Sequence, residues 1–349
     1  MARNKIEVQK ALFAFLDAHC SAAQDPVSNA GAGRWVDTSG DENLSFMTRA
    51  KLLESWSFSA SRYLARYDLD GRSYFCAIGF DYLATAPSGL STWHPSASEQ
   101  IYVLSTLKPR PKASTMSIRA IVEAADATTP NYNGFPPNSI FGLFPTINFF
   151  DAPIITNDEN WRVYFQLCVK DCNQNDSWID SSLSSSLENI SALGITEIPF
   201  RMLCRSVLDS DPTSMFMSLY RCLEYIFSFG PINGLITALS LNVSWDNLLK
   251  ELEARSSWRS KEDKSLEELI KSADGALVLK LAKQLSVDTR NKTPEEISAS
   301  AAEKIYDLRN SIVHYRPAHK DAQLAKHNWN RICEYMSDIV SDVYKKAFP

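Results

Sequence analysis

Arg309 and His314 carry the strongest chemical signal in the chain, with four residues between them and a polar Asn310 directly after the arginine. A histidine titrates close to neutrality, so it can both take and give a proton at physiological pH. An arginine stays charged throughout that range and presents a planar fork of donors. The two residue types at this spacing suit acid–base chemistry at a centre where negative charge develops.

Other signatures are few. The sequence has no glycine-rich phosphate loop, no G-x-S-x-G, no H-E-x-x-H and no paired C-x-x-C. Cys168 and Cys172 lie four apart, but no histidine is near them in sequence, and a zinc site there is not expected. His19 and Cys20 read as a helix-end pair, and His94, between Trp93 and Pro95, as a loop residue. The aromatic, Pro/Gly-rich stretch from Asn131 to Pro153 reads as core and turn material.

The elements that must position Arg309 and His314 are helices. Thr293 is an N-cap, Pro294 takes the first helical position and Glu296 completes a capping box. The stripe Ile297, Ala301, Ile305, Leu308, Ile312 and Tyr315 follows, and the helix should stop before Pro317. At about 100° per residue, Leu308, Ile312 and Tyr315 cluster with Ile305 toward a core. Glu303, Asn310 and His314 fall on the opposite side, with Arg309 between the two faces. Four more helices are expected around this one: Met215–Phe229, one through Trp245–Leu252, Leu266–Leu285, and about Asp321 to Lys346. Five helices with short links predict a compact bundle.

The first half differs. Val8–Ala18 and Phe46–Tyr63 have helical spacing, and Ser73–Phe80, Gln100–Leu107, Ser117–Val122 and Trp161–Val169 read as strands. The fold class expected is an α+β N-terminal domain, residues 1–200, followed by an all-α bundle, residues 205–349. The Ser-, Asp- and Asn-rich stretch Asn173–Ser191 reads as the boundary loop, with the turn at Asp209–Pro212 as an alternative hinge. Ser21–Asn43 reads as a surface loop.

The segment Arg309-Asn310-Ser311-Ile312-Val313-His314, on a late helix of a bundle, resembles the R-x(4–6)-H motif of HEPN domains. These are metal-independent ribonucleases common in prokaryotic toxin, anti-phage and CRISPR-associated proteins. The upstream segment Leu219–Phe227 is similar to the first helix of the ApeA-like branch of that family. The resemblance covers roughly Pro212 to Phe348 and does not reach the first half. It implies a regulated endoribonuclease, a toxin or antiviral defence effector, acting on RNA, with tRNA among the substrates considered. Arg309 and His314 would be catalytic and Asn310 supporting. Glu224, Glu303 and Tyr315 are further supporting candidates, although Arg221 offers Glu224 an ordinary surface ion pair. Arg316, Lys320 and Lys326 are weaker candidates for RNA contact. The 2′-hydroxyl of the RNA would be the nucleophile, His314 the proton carrier and Arg309 the stabiliser of the phosphorane. No cofactor or metal is implied. A homodimer through the bundle would supply both an acid and a base, and the first half would sense an activating ligand or phage component. The alternatives are a non-catalytic dimerisation or adaptor module, with Arg309 and His314 paired internally, and a partner of a nucleotidyltransferase.

Composition narrows the setting. The 349 residues are 45% hydrophobic and 22% charged, ordinary values for a globular protein. A formal net charge of −5 excludes a global basic field for nucleic acid, so any such site must be local. From Ala301 to Pro349, eight Lys and Arg stand against six Asp and Glu. No uninterrupted apolar run approaches the ~18 residues of a membrane span. The run Ala11–Leu16, followed by Asp17 and His19, is too short for a secretory signal. Seven scattered cysteines suggest reduced thiols and a cytoplasmic protein.

Overall fold

The computed structural model describes residues 4–41, 44–81, 83, 86–152, 159–172, 177–256, 261–314 and 326–349. It divides into two compact units, Met1–Asn160 and Trp161–Pro349. The division falls at the start of a helix, well before the Ser-rich stretch expected to be the boundary.

The first unit is α+β. Its sheet has five strands, β1 (Lys51–Ser59), β2 (Arg62–Leu69), β3 (Arg72–Ile78), β4 (Ser91–Trp93) and β5 (Ile147–Ala152). They run in the order β1-β2-β3-β5-β4 with every pair antiparallel. The pairings Tyr67↔Tyr74 and Ala65↔Cys76 put alternate residues of β2 and β3 on one face. There they join a buried cluster with Val8, Leu12 and Leu16 of α1 (Lys5–Ala22), Phe46 of α2 (Leu44–Arg49) and Ile101 and Leu104 of α3 (Ala97–Leu107). Two short helices, α4 (Thr115–Val122) and α5 (Pro137–Phe141), complete the unit.

Three of the expected strands are helices. Gln100–Leu107 lies in α3, where Ser96 and Glu99 form a capping box that outweighs the β-preference of Ile101, Tyr102 and Val103. Ser117–Val122 lies in α4, started by Ser114, whose hydroxyl accepts from the Ser117 N–H. Trp161–Val169 lies in α6 (Asn160–Cys172), which opens the second unit. Conversely, Phe46–Tyr63 is helical only through Arg49. From Lys51 the exposure alternates residue by residue along β1, the period of a strand.

The second unit is helical. Among the described residues it holds α6, α7 (Ser181–Ala192), α8 (Phe200–Val207), α9 (Pro212–Tyr225), α10 (Phe229–Ala238), α11 (Trp245–Ser256), α12 (Glu262–Ser272), α13 (Gly275–Gln284), α14 (Pro294–Val313) and α15 (Trp329–Ala347). The stretch expected to be a boundary loop is therefore largely α7. Its Leu183, Leu187 and Ile190 are buried, and buried Ser184, Ser186 and Ser191 are small enough for close packing on α15. Asn330 ties the start of α15 to this segment: it accepts from the Asp180 N–H at 2.9 Å and donates to the Trp178 carbonyl at 2.7 Å. The single helix expected over Leu266–Leu285 is two. Asp274 caps α13 by accepting from the N–H groups of Ala276 and Leu277, which ends α12 just before it. The helix expected from about Asp321 begins at Trp329; residues 321–325 lie outside the described ones.

Helix α9 packs on α15, and Met215, Leu219 and Leu223 of the one and Met336, Val340 and Tyr344 of the other are buried. The Tyr344 hydroxyl donates to the Cys222 carbonyl at 2.9 Å. All seven cysteines are buried, and none is in a disulfide. Among the described residues, no helix is long and apolar enough to cross a membrane.

Candidate active site at the end of α14

Helix α14 starts as its sequence dictates. The Thr293 hydroxyl accepts from the Glu296 N–H, and the Glu296 carboxylate accepts from the Thr293 N–H at 2.7 Å. Ser298, Ala301, Ala302, Ile305 and Leu308 are buried and set the helix against α12 and α13. The two alanines allow a close approach there.

Arg309 is turned into the bundle. Only 19% of its side chain is exposed. Its Nη1 donates to Asn310 Oδ1 at 2.9 Å, and Nη2 stands 3.8 Å from Glu262 Oε2 of α12. The guanidinium lies 5.7 Å from the ring centroid of Tyr220 on α9, a cation–π distance. The Arg309 Nε and the fully buried Tyr220 hydroxyl have no hydrogen-bond partner among the described residues. Burial pushes the Tyr220 phenol well above its ordinary range, and the Glu262 carboxylate adds to the rise while Arg309 opposes it. Glu224, one turn beyond Tyr220 on α9, acts on Tyr220 in the same sense as Glu262. Arg309, Asn310, Glu262, Tyr220 and Glu224 therefore form one polar cluster against the core.

His314 is placed differently. The helix ends at Val313, and His314 is its C-cap, with φ −102° and ψ 92°. Its backbone N–H donates to the Asn310 carbonyl at 2.9 Å. Its side chain is exposed and makes no hydrogen bond or ion pair among the described residues. The expected exposure is present, but it arises where the chain leaves the helix, not from a place on the helix's outer face. Arg309 and His314 thus share one helix end, with Arg309 engaged inward and His314 exposed.

The other sequence candidates scatter. Asn310 is beside Arg309, as expected. Glu224 does not pair with Arg221, contrary to expectation. The Arg221 Nη1 instead approaches Met202 Sδ at 3.7 Å, because α9 sends Tyr220 and Arg221 to different neighbours. Glu303 is exposed on α14 about 16 Å along the axis from His314, too far to share its chemistry. Lys326 is exposed just before α15. Tyr315, Arg316 and Lys320 lie outside the described residues. Among the described residues, no cluster of His, Cys, Asp or Glu could hold a metal ion, Cys168 and Cys172 included.

A second feature borders this helix end and was not foreseen. A groove of about 620 Å³ is lined by Arg201 and Arg205 of α8, Arg221 of α9, and Ile312 and Val313 of α14. The signal available in sequence was the Arg201–Arg205 pair, like charges one helical turn apart, which a helix does not favour for its own stability.

The first unit has a cavity of about 650 Å³ lined by Lys5, Gln9 and Lys10 of α1 and by Trp35, Thr38 and Ser39 of the following loop. The loop is fixed there. The Gln9 amide donates to the Val36 carbonyl and accepts from its N–H, and Trp35 packs edge-on against Tyr132 at 4.4 Å.

No family model, curated protein or solved structure matches the chain.

Proposed function

We propose that this chain is a metal-independent endoribonuclease of HEPN type, with its chemistry at the C-terminal end of α14. The observation that carries this reading is that one helix end presents an oriented arginine and an exposed histidine whose side chain makes no hydrogen bond or ion pair among the described residues. His314 takes the proton of the ribose 2′-hydroxyl as that oxygen attacks the adjacent phosphorus. The P–O5′ bond breaks, and the 5′-oxygen is protonated as it leaves. Arg309 stabilises the charge that builds on the phosphoryl oxygens, and Asn310 holds its guanidinium in place. One site supplies one imidazole. A homodimer joined through the second unit brings a second His314, so that one serves as base and the other as acid. The substrate is RNA, tRNA among its forms. The setting is a cytoplasmic defence or toxin role in which the first unit, with its cavity beside Trp35, receives the trigger.

A second reading is favoured by the inward pose of Arg309. An adaptor or dimerisation module would keep Arg309 as a structural side chain, held by Asn310, Glu262 and Tyr220. Purified full-length protein incubated with total tRNA and with an unstructured RNA, in EDTA, decides between them. The nuclease reading expects fragments ending in a 2′,3′-cyclic phosphate, whereas intact RNA under conditions where the protein is folded and dimeric supports the adaptor.

A further inference from the structure

Helices α10 and α11 form a hairpin that leaves apolar surface in water. The chain from Tyr225 to Trp245 contains no charged residue. Within it, α10 buries one side chain, Ile232. Leu235 and Leu239 are 44% and 64% exposed, and Leu241 and Val243 in the turn that follows are exposed as well. Helix α11 buries none of its side chains, and its Leu248, Leu249 and Leu252 are half-buried. The two helices pack mainly on each other. Their base is nonetheless fixed. The Phe229 ring lies 5.0 Å from that of Phe348 and 5.5 Å from that of Trp245, and Trp245 meets Tyr225 edge-on at 5.8 Å. An anchored helix that is apolar over most of its circumference marks a surface that something else buries.

The chemistry of the hairpin selects its cover. A bilayer does not suit it. The 10 residues of α10 make about 15 Å of helix against a hydrocarbon core of about 30 Å, and a helix lying in the interface would want Lys and Arg beside it. Helix α11 instead carries three acids and two bases. A second copy does suit it, because it brings apolar surface of the same kind with no charge on it. Lys250 and Asp246, 3.2 Å apart, and Arg255 and Glu251, 2.5 Å apart, are paired within α11, so two copies meet without like-charge repulsion among these four. The two helices, 10 and 12 residues long with the turn between them, match the ~20–30 residues a side that a stable interface engages. Two such hairpins related by a two-fold axis make a four-helix bundle.

We propose that two copies of this chain join through their α10–α11 hairpins, with Leu235 and Leu239 of each at the centre of the contact. The hairpin lies in the chain between the two helices that orient Arg309, α9 through Tyr220 and α12 through Glu262. The contact that pairs the copies is therefore next in sequence to the residues that set the guanidinium. The assignment rests on the nuclease reading for the purpose of the dimer, a second His314, but not for the contact itself.

The test is light scattering of the full chain over a concentration series, with melting curves for each protein. Wild type is expected to be a dimer at micromolar concentration. Leu235→Glu with Leu239→Glu should melt as the wild-type monomer does and raise the dimer dissociation constant at least ~100-fold, because each copy loses two buried anchors. Met116→Glu, an equally exposed apolar position in the first unit, should leave the dimer as it is. A folded double variant that dimerises with wild-type affinity overturns the proposal. So does a monomeric wild type, including one that floats with phosphatidylcholine vesicles. Should the double variant unfold, Leu239→Lys alone carries the same test. A dimer that depends on the hairpin but cuts no RNA keeps the interface and removes the nuclease reading. RNA cleavage by a dimer that the double variant leaves intact does the reverse.

Discussion

At Arg309 the guanidinium is oriented by an amide, a carboxylate and an aromatic face, while five positions on the His314 imidazole is exposed and has no hydrogen bond or ion pair among the described residues. The two residues should therefore respond differently to truncation. His314→Ala removes an exposed side chain and should change stability by less than ~0.5 kcal/mol. Arg309→Ala removes a mostly buried group that covers Tyr220, and should cost more, about 1–2 kcal/mol, along with activity. Thermal unfolding of both variants checks the order; equal losses would mean that Arg309 contributes nothing to packing. Arg309→Lys keeps a charge but not the fork that meets Asn310 and the ring face, so partial activity at best is expected. Tyr220 offers a separate check. Its buried hydroxyl has no partner among the described residues, and such a group costs ~1–3 kcal/mol to bury. Tyr220→Phe should leave the melting temperature unchanged or raise it without lowering RNA cleavage. A fall in cleavage in a stably folded Tyr220→Phe protein would give that hydroxyl a role in the chemistry that the present account does not.

Among the elements, α14 is the one most fully written in its sequence. Its capping box, first-turn proline and apolar stripe all appear where Thr293, Pro294, Glu296, Ala301, Ile305 and Leu308 place them. Thr293→Ala should cost about 1 kcal/mol by freeing the Glu296 N–H, measured by denaturant unfolding. A cost near zero would mean that tertiary packing alone sets this helix start. Other elements were less legible. In α3, α4 and α6 the β-branched and aromatic residues are there to fill a core, and they outnumber the short cap signals at Ser96, Glu99 and Ser114. Burial around the whole helix, as at Val163, Tyr164, Phe165 and Leu167 of α6, erases the periodicity that separates helix from strand. The Arg309–His314 spacing survives in sequence because both belong to one helix end, Arg309 in its last turns and His314 as its C-cap. The groove does not, because Arg201, Arg205 and Arg221 come to line it only when α8 and α9 pack together.

For the molecule as a whole, the break at Asn160–Trp161 sets what can be separated. A fragment starting at Pro212 would discard α7, whose buried Leu183, Leu187 and Ile190 lie against α15, and should be insoluble or poorly folded. Trp161–Pro349 keeps the second unit entire and should fold alone, as circular dichroism and cooperative melting would show. A nuclease active without restraint would degrade its host's RNA, so the first unit is expected to hold activity down until a trigger arrives. Expressed in cells, Trp161–Pro349 should then be more toxic than the full chain; equal toxicity with both forms soluble argues against restraint by the first unit. Light scattering at micromolar concentration should give a dimer, and a fully active monomer would remove the need for a second His314.

The most direct measurement compares RNA cleavage by wild type and His314→Ala in EDTA, with melting curves for both proteins. Coincident melting is expected, with a rate at least ~10²-fold lower for the variant and wild-type fragments ending in a 2′,3′-cyclic phosphate. A His314→Ala protein that melts as wild type does and cuts RNA at the wild-type rate would contradict the account.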